Sequence, residues 1–182
     1  MRQLLFSMLL LLANSAFAQI KMSEALKSMP DSLIPYLTEN NRLDLVDFRE
    51  AGMHAQVSNA FDGISSLTQL TADYASLRLS EASQVDLWLL TTTSGRPMLC
   101  VVSTYGKDIR ESRLSFYTTD WYPLPTSQYV TLPDYSFVAT ADAERKTLTL
   151  TRVNDFDRPA NEEQNQPENV QTTLNWDGLK FK

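Results

Sequence analysis

The chain has 182 residues, with 22 acidic side chains against 16 basic ones, a net charge of −6, one histidine, one cysteine and five glycines. One histidine and one cysteine exclude zinc fingers, iron–sulfur sites and multi-histidine metal centres. The acidic balance argues against nucleic acid or an anionic membrane surface as the main partner.

Residues 1–18 read as a signal peptide. Arg2 supplies the positive start, Leu4 to Leu12 is an apolar run broken only by Ser7, and Ala16-Phe17-Ala18 is a small-x-small cleavage site. The run is too short to span a bilayer. The mature chain is expected to begin at Gln19 and to be exported to the periplasm, the cell surface or the medium. No later stretch reaches spanning length, and 19–182 is long enough for one domain with its own core.

The mature chain to about Gly52 has helical spacing. Met22, Leu26 and Met29 share a face, Ser23 is placed to cap the start, and Pro30 stops the helix. Asp31-Ser32 opens a short second turn carrying Leu33, Ile34 and Leu37. Thr38-Glu39-Asn40-Asn41 is a third start signal. Leu43, Leu45, Val46 and Phe48 follow at helical spacing, opposite Asp44, Asp47, Arg49 and Glu50, and Gly52 suits the position just past the helix end.

From His54 the period changes to two. Ala75, Leu77 and Leu79 alternate with Ser76, Arg78 and Ser80. Val85, Leu87 and Leu89 alternate with Gln84, Asp86 and Trp88. Leu114 and Phe116 alternate with Ser115 and Tyr117, and Leu148 and Leu150 with threonines. Each stretch predicts an antiparallel strand with one buried face. Met98 to Val102 lacks polar alternation, which predicts a central strand covered on both faces. Trp88 and Tyr117 fall opposite the aliphatic rows of their strands, and the N-terminal helices are expected to cover them. Glu81-Ala82, Thr93 to Arg96, Gly106 to Asp108 and Trp176-Asp177-Gly178-Leu179 suit hairpin turns. All five glycines fall at turns or helix ends.

Residues 154–171 hold one aromatic, two prolines and several acids, and read as a mobile acidic loop. Asp155, Asp157, Glu162, Glu163 and Glu168 carry the oxygens that calcium prefers, but without a twelve-residue ligand pattern a solvated loop is the simpler reading. The fold class expected is therefore α+β: short helices first, then an antiparallel meander that curves around them. The alternative is a two-sheet sandwich with helices at one end.

The chemistry available is narrow. A serine hydrolase would depend on His54, and no Gly-x-Ser-x-Gly occurs. Cys100 lies in an apolar run and reads as an inert buried thiol. No cofactor, metal or catalytic set is assigned. Asp120, Trp121 and Tyr122 are the candidate partner contacts, because aromatics beside an acid can stack on a sugar ring. The plainer reading is a turn after the Phe116 strand, with Trp121 packed on the core and Asp120 bonded to its own backbone.

Ser28-Met29-Pro30-Asp31-Ser32-Leu33-Ile34-Pro35-Tyr36-Leu37-Thr38-Glu39-Asn40-Asn41-Arg42, followed by Asp44-Leu45-Val46-Asp47-Phe48, resembles a family of exported Bacteroidales proteins, domain of unknown function family 3256. Leu79 to Ser83, Ser115 to Trp121 and the Trp176-Asp177-Gly178 turn are similar to it as well. The resemblance implies export and one α+β domain, and carries no catalytic or ligand residues. The function expected is a non-enzymatic envelope module that binds a protein, peptide or glycan. The alternatives are a glycan hydrolase using an Asp/Glu pair, and a structural or inhibitory envelope protein acting through an edge strand or the acidic loop.

Overall fold

The computed structural model describes residues 20–153 and 170–182. The expected signal peptide, and the expected acidic loop up to residue 169, lie outside the described residues. The structure ends that segment earlier than residue 171, since Gln171 already pairs with Thr151 as part of a strand.

The first helix, α1 (Met22–Lys27), corrects the expected cap. Ser23 is buried within the first turn, Lys21 holds the cap position and no side chain caps it. The helix start is tied down instead by the Met22 N–H, which donates to the carbonyl of Ala72 at 2.9 Å. Pro30 ends this element, and a single tight turn follows at Asp31–Leu33. The second helix, α2 (Glu39–Glu50), starts where its sequence says. Thr38 Oγ1 accepts from the Asn41 N–H, and the Thr38 N–H donates back to Asn41 Oδ1 at 3.1 Å. Leu45 and Val46 are buried, and Gly52 closes the helix at φ 71°. Arg42 is a surprise. It is only 3% exposed, and its Nη1 donates to Asp31 Oδ1 at 2.7 Å and to the Leu37 carbonyl at 2.8 Å, locking the connecting turn onto α2.

Seven strands follow as a meander: β1 (Gln56–Ser58), β2 (Ile64–Leu70), β3 (Tyr74–Ser80), β4 (Ser83–Thr91), β5 (Pro97–Tyr105), β6 (Glu111–Thr118) and β7 (Pro123–Leu124). Each pairs antiparallel with the next, so their spatial order is their chain order. Three more, β8 (Phe137–Asp142), β9 (Thr147–Arg152) and β10 (Gln171–Asn175), form a second antiparallel sheet in the order β10-β9-β8. The alternation at Ala75–Leu79, Val85–Leu89, Leu114–Phe116 and Leu148–Leu150 thus marks true strands, but Val85–Leu89 is buried on both faces rather than one, because Asp86 and Trp88 are covered as well. Met98–Val102 is central and buried on both faces, as its unbroken apolar run demands.

The large sheet separates two cores. On one face Leu77, Val85, Leu87, Leu99 and Val101 pack against Met22, Leu26, Leu45 and Val46 of the helices. On the other, Trp88, Leu90, Met98, Cys100, Val102, Leu114 and Phe116 pack against Phe137, Ala139, Leu148 and Leu150 of the small sheet. The helices therefore cover a face of the large sheet, not one end of a sandwich, and the sheet does not close into a barrel.

Trp88 and Tyr117 are covered, but not together. The register pairs Trp88 with Cys100 and Cys100 with Phe116, so Trp88 faces the small sheet, whereas Tyr117 lies opposite Leu99 on the helix side. The expected helical cover holds for Tyr117 and fails for Trp88, because neighbouring strands in register put cross-strand partners on one face.

The chain end seals the far core. Trp176 and Phe181 form a bridge, and the Asp177 N–H donates to the Lys180 carbonyl at 3.2 Å, so the connection is a two-residue hairpin turning on Gly178-Leu179, one residue later than Asp-Gly suggests. Asp177 Oδ1 accepts from the N–H groups of Leu179 and Lys180, each at 2.8 Å. The Phe181 ring lies 5.6 Å from Trp88, 6.3 Å from Phe116 and 5.2 Å from Trp176. We predict that Phe181→Ala lowers unfolding free energy by about 3–5 kcal/mol, whereas Leu179→Ala in the exposed tip leaves the urea midpoint unchanged. A second expectation concerns pH. The Lys182 ammonium, 2.6 Å away, together with the two backbone donors holds the Asp177 carboxyl well below the usual carboxylate range. A lowered folded-state value stabilises above the unfolded value and loses that contribution in acid. The stability gap between wild type and Asp177→Asn is therefore present at neutral pH and closes as the pH falls below about 4, read by urea titrations across that range.

Candidate binding surfaces

The three residues singled out at the end of β6 do not act together. Trp121 takes a positive φ of 64°, which turns its ring inward. Its Nε1 donates to the Ala25 carbonyl at 3.2 Å, and its ring packs 5.6 Å from Tyr117, so this side chain pins α1 to the sheet. Tyr122 points out and is 69% exposed, and Asp120 is exposed beside it. The turn is held by Thr118, whose N–H donates to the Tyr122 carbonyl at 2.9 Å and whose hydroxyl accepts from the Tyr122 N–H at 3.2 Å. Among the described residues the Asp120 carboxylate makes none of the backbone bonds expected of it.

His54 and Cys100 are not brought together either. Cys100 is buried in the core between the sheets, where desolvation pushes its thiol up to about 12 and keeps it protonated. His54 stands on the surface between α2 and β1. The one buried carboxylate in the large sheet, Asp86, accepts from the Tyr74 hydroxyl at 2.9 Å and from Gln84 Nε2 at 3.0 Å. Burial, with the neighbouring Asp86 charge, holds the Tyr74 phenol above its ordinary range. Among the described residues no group of three histidine, cysteine or acidic side chains gathers as a metal site would require.

Two clefts mark opposite edges of the large sheet. The first, about 420 Å³, lies where the end of α2 meets β1 and β2, and is lined by Arg49, His54, Gln56, Ser66, Thr68 and Arg78 among others. None of its lining residues is acidic. The second, about 570 Å³, runs beside β6 and is lined by Tyr105, Glu111, Ser112, Leu114, Thr126 and Leu132 among others. Its one carboxylate, Glu111, accepts from the Ser136 hydroxyl at 2.9 Å.

The second cleft exists because β7 is cut short. Pro123 lacks an N–H, and after Pro125 the chain leaves the sheet in the tight turn Thr126–Gln128. So β7 pairs only with Phe116 and Tyr117, and among the described residues no strand lies beside the outer edge of β6 from Glu111 to Ser115. In an antiparallel strand every second residue turns its backbone groups to the same side. Thr118 and Phe116 face β7, so Leu114 and Ser112 face the cleft. No backbone hydrogen bond to the described residues occupies that side of either residue. Those outward backbone groups escape an analysis of side-chain motifs. The closely spaced Pro123 and Pro125 were the legible sign.

Comparison with known proteins places this architecture. A family model matches residues 13–175, most of the chain. The chain belongs to DUF3256, a family described as protein of unknown function. A solved structure, described as that of a domain of an uncharacterized protein from Porphyromonas gingivalis W83, is similar to it with a TM-score of 0.74 and 19% identity. The match covers 88% of this chain and 96% of that one, and at this identity it speaks for the fold alone. No curated protein matches. The family resemblance seen in Ser28–Phe48 is thereby shown for the chain.

The inward Trp121 gives a direct test of the turn. Trp121→Phe removes the indole donor to Ala25 and is expected to cost about 1–2 kcal/mol in urea denaturation, while Asp120→Ala and Tyr122→Ala unfold at the wild-type midpoint.

Proposed function

We propose that this chain is an exported binding module that takes an extended peptide as an added strand on the outer edge of β6. The observation that carries the proposal is the pair of outward backbones at Ser112 and Leu114, facing a walled cleft of about 570 Å³. A strand edge with free N–H and C=O groups is a template for another chain, and strand addition supplies its affinity through main-chain bonds. The five residues from Glu111 to Ser115 offer about 17 Å of edge, room for a short segment. Tyr105 and Leu132 expose apolar surface at the walls, and the Thr126 turn bounds the far side. Export is supported by Arg2, the Leu4–Leu12 run and Ala16-Phe17-Ala18, which makes the partner an extended segment of an envelope protein.

The test begins with the mature protein, from Gln19, panned against a library of random seven-residue peptides. A selected peptide is then titrated while backbone amide spectra are recorded. The Ser112 and Leu114 amides are expected to shift and to gain protection from hydrogen exchange on binding. Leu132→Glu is expected to weaken binding by about tenfold or more at an unchanged melting temperature. Selected peptides whose shifts map away from β6 would refute the strand-addition reading.

A further inference from the structure

The cleft at the other edge of the large sheet has a different chemistry. The chain as a whole is acidic, at −6, yet Arg49, Arg78 and the only histidine line this one cleft with no carboxylate among its lining residues. Several other cations among the described residues have acidic partners. Arg42 pairs with Asp31, Lys27 with Asp47, Lys107 with Glu81 and Lys182 with Asp177. Arg49 and Arg78 have neither an ion pair nor a hydrogen bond within the described residues, and both side chains are exposed.

Their surroundings are polar and ordered by the sheet. The register sets Gln56 opposite Ser66 and Ser66 opposite Arg78, so an amide, a hydroxyl and a guanidinium form one cross-strand row on the face away from the helices. Beyond the short β1, a bulge in β2 between Leu67 and Gln69 brings in Thr68, whose hydroxyl donates to the Ser76 carbonyl at 3.0 Å. Arg49 and His54 arrive from the last turn of α2 and the link that follows it. Like charges set around one cavity without a counter-ion repel one another, and an anion between them relieves that repulsion. A guanidinium offers a planar fork of donors that matches the two oxygens of a carboxylate or sulfate.

We propose that Arg49, His54 and Arg78 form a binding site for an oxyanion carried on a sugar, the carboxylate of a uronic acid or a sulfate ester. The guanidinium groups grip the charged end, while Gln56, Ser66 and Thr68 supply hydrogen-bonding partners for hydroxyls, an arrangement that a bare ion does not use. The cavity, at about 420 Å³, is of ligand-pocket size. This site is independent of the peptide groove, which lies past β6 at the far edge of the same sheet.

The test is a chemical-shift titration of the mature protein with glucuronate, glucose 6-sulfate, glucose and inorganic sulfate. Glucuronate or glucose 6-sulfate is expected to shift the amides of Gln56, Ser66 and Arg78, and glucose is not. Arg49→Gln and Arg78→Gln are each expected to weaken binding by about tenfold or more, and added salt is expected to weaken it further. Arg96→Gln, in the exposed turn between β4 and β5, is expected to leave glucuronate binding unchanged. Both test arginines are exposed, so unchanged melting temperatures separate lost binding from lost fold. Binding of glucose as tight as that of glucuronate, or binding that survives both arginine substitutions, would overturn the proposal. Inorganic sulfate binding as tightly as the sulfated sugar would overturn its sugar half.

Discussion

The structure depends on β4 and β5 being buried on both faces. From Val85 to Leu90 and from Met98 to Val102 every side chain is inside, apolar except for Asp86. A sheet with such strands at its centre needs a cover on each side, since either face left wet would expose a contiguous apolar patch. The helices meet that demand on one face and the small sheet on the other. The small sheet follows the large one in the chain, so its cover is completed only at the end, when Phe181 enters between Trp88 and Phe116. Gly178 shows how closely this last segment docks. Trp176, two residues before it, donates from Nε1 to the Thr91 carbonyl at 2.9 Å, and a Cβ on Gly178 would come within 2.8 Å of the Thr93 side chain.

The cover on the far face is partial, and the sequence of that face follows it. Where the small sheet sits, β4, β5 and β6 present Trp88, Cys100, Val102 and Phe116. Toward β1 the same face presents Ser66, Arg78 and Gln84 in one cross-strand row. Asp86 and Tyr74 stand at the border. Their hydrogen bond at 2.9 Å lets a carboxylate and a phenol end the apolar zone without leaving a polar atom unpaired. The oxyanion cleft is thus a consequence of how far the second sheet extends: the strands beyond its reach are free to carry charge.

Much of this was legible from the sequence, and the misses share a cause. Thr38 and Asn41 announce α2 because a capping box is a local interaction, closed within four residues. The alternation in β6 and β9 is legible because period and burial coincide, whereas in β3 and β4 the residues between the aliphatic ones are mostly buried too. What escaped depends on distant partners. Arg42 is buried because Asp31 and the Leu37 carbonyl meet it across a turn. Met22 needs no cap because Ala72 lies fifty residues on. β1 and β2 have mixed patterns, and their joining turn is built by Asn59. Its amide donates to Leu79 and Ser65, while its oxygen accepts from the N–H groups of Phe61 and Gly63. Which cover hides Trp88 is likewise a question of register across strands, which alternation within one strand does not answer.

The same accounting of distant partners separates the open edge of β6 from the others. An unpaired strand edge invites association, and proteins blunt edges they do not use. On β1 the outward carbonyl of Ser58 is taken by the Asn41 amide at 3.3 Å, and the strand is three residues long. At β8 the Ala139 N–H donates to the Ser112 hydroxyl at 2.9 Å, which joins the small sheet to the large one. The outermost strand of the small sheet, β10, presents Gln171, Thr172 and Thr173 to solvent. Along β6 nothing of this kind intervenes among the described residues: the backbone of Leu114 faces a cleft walled by Thr126 and Leu132. A fold that blunts β1 and β8 with side chains from elsewhere, and among the described residues leaves the outward backbones of Ser112 and Leu114 lining a groove, has an asymmetry that suits peptide capture.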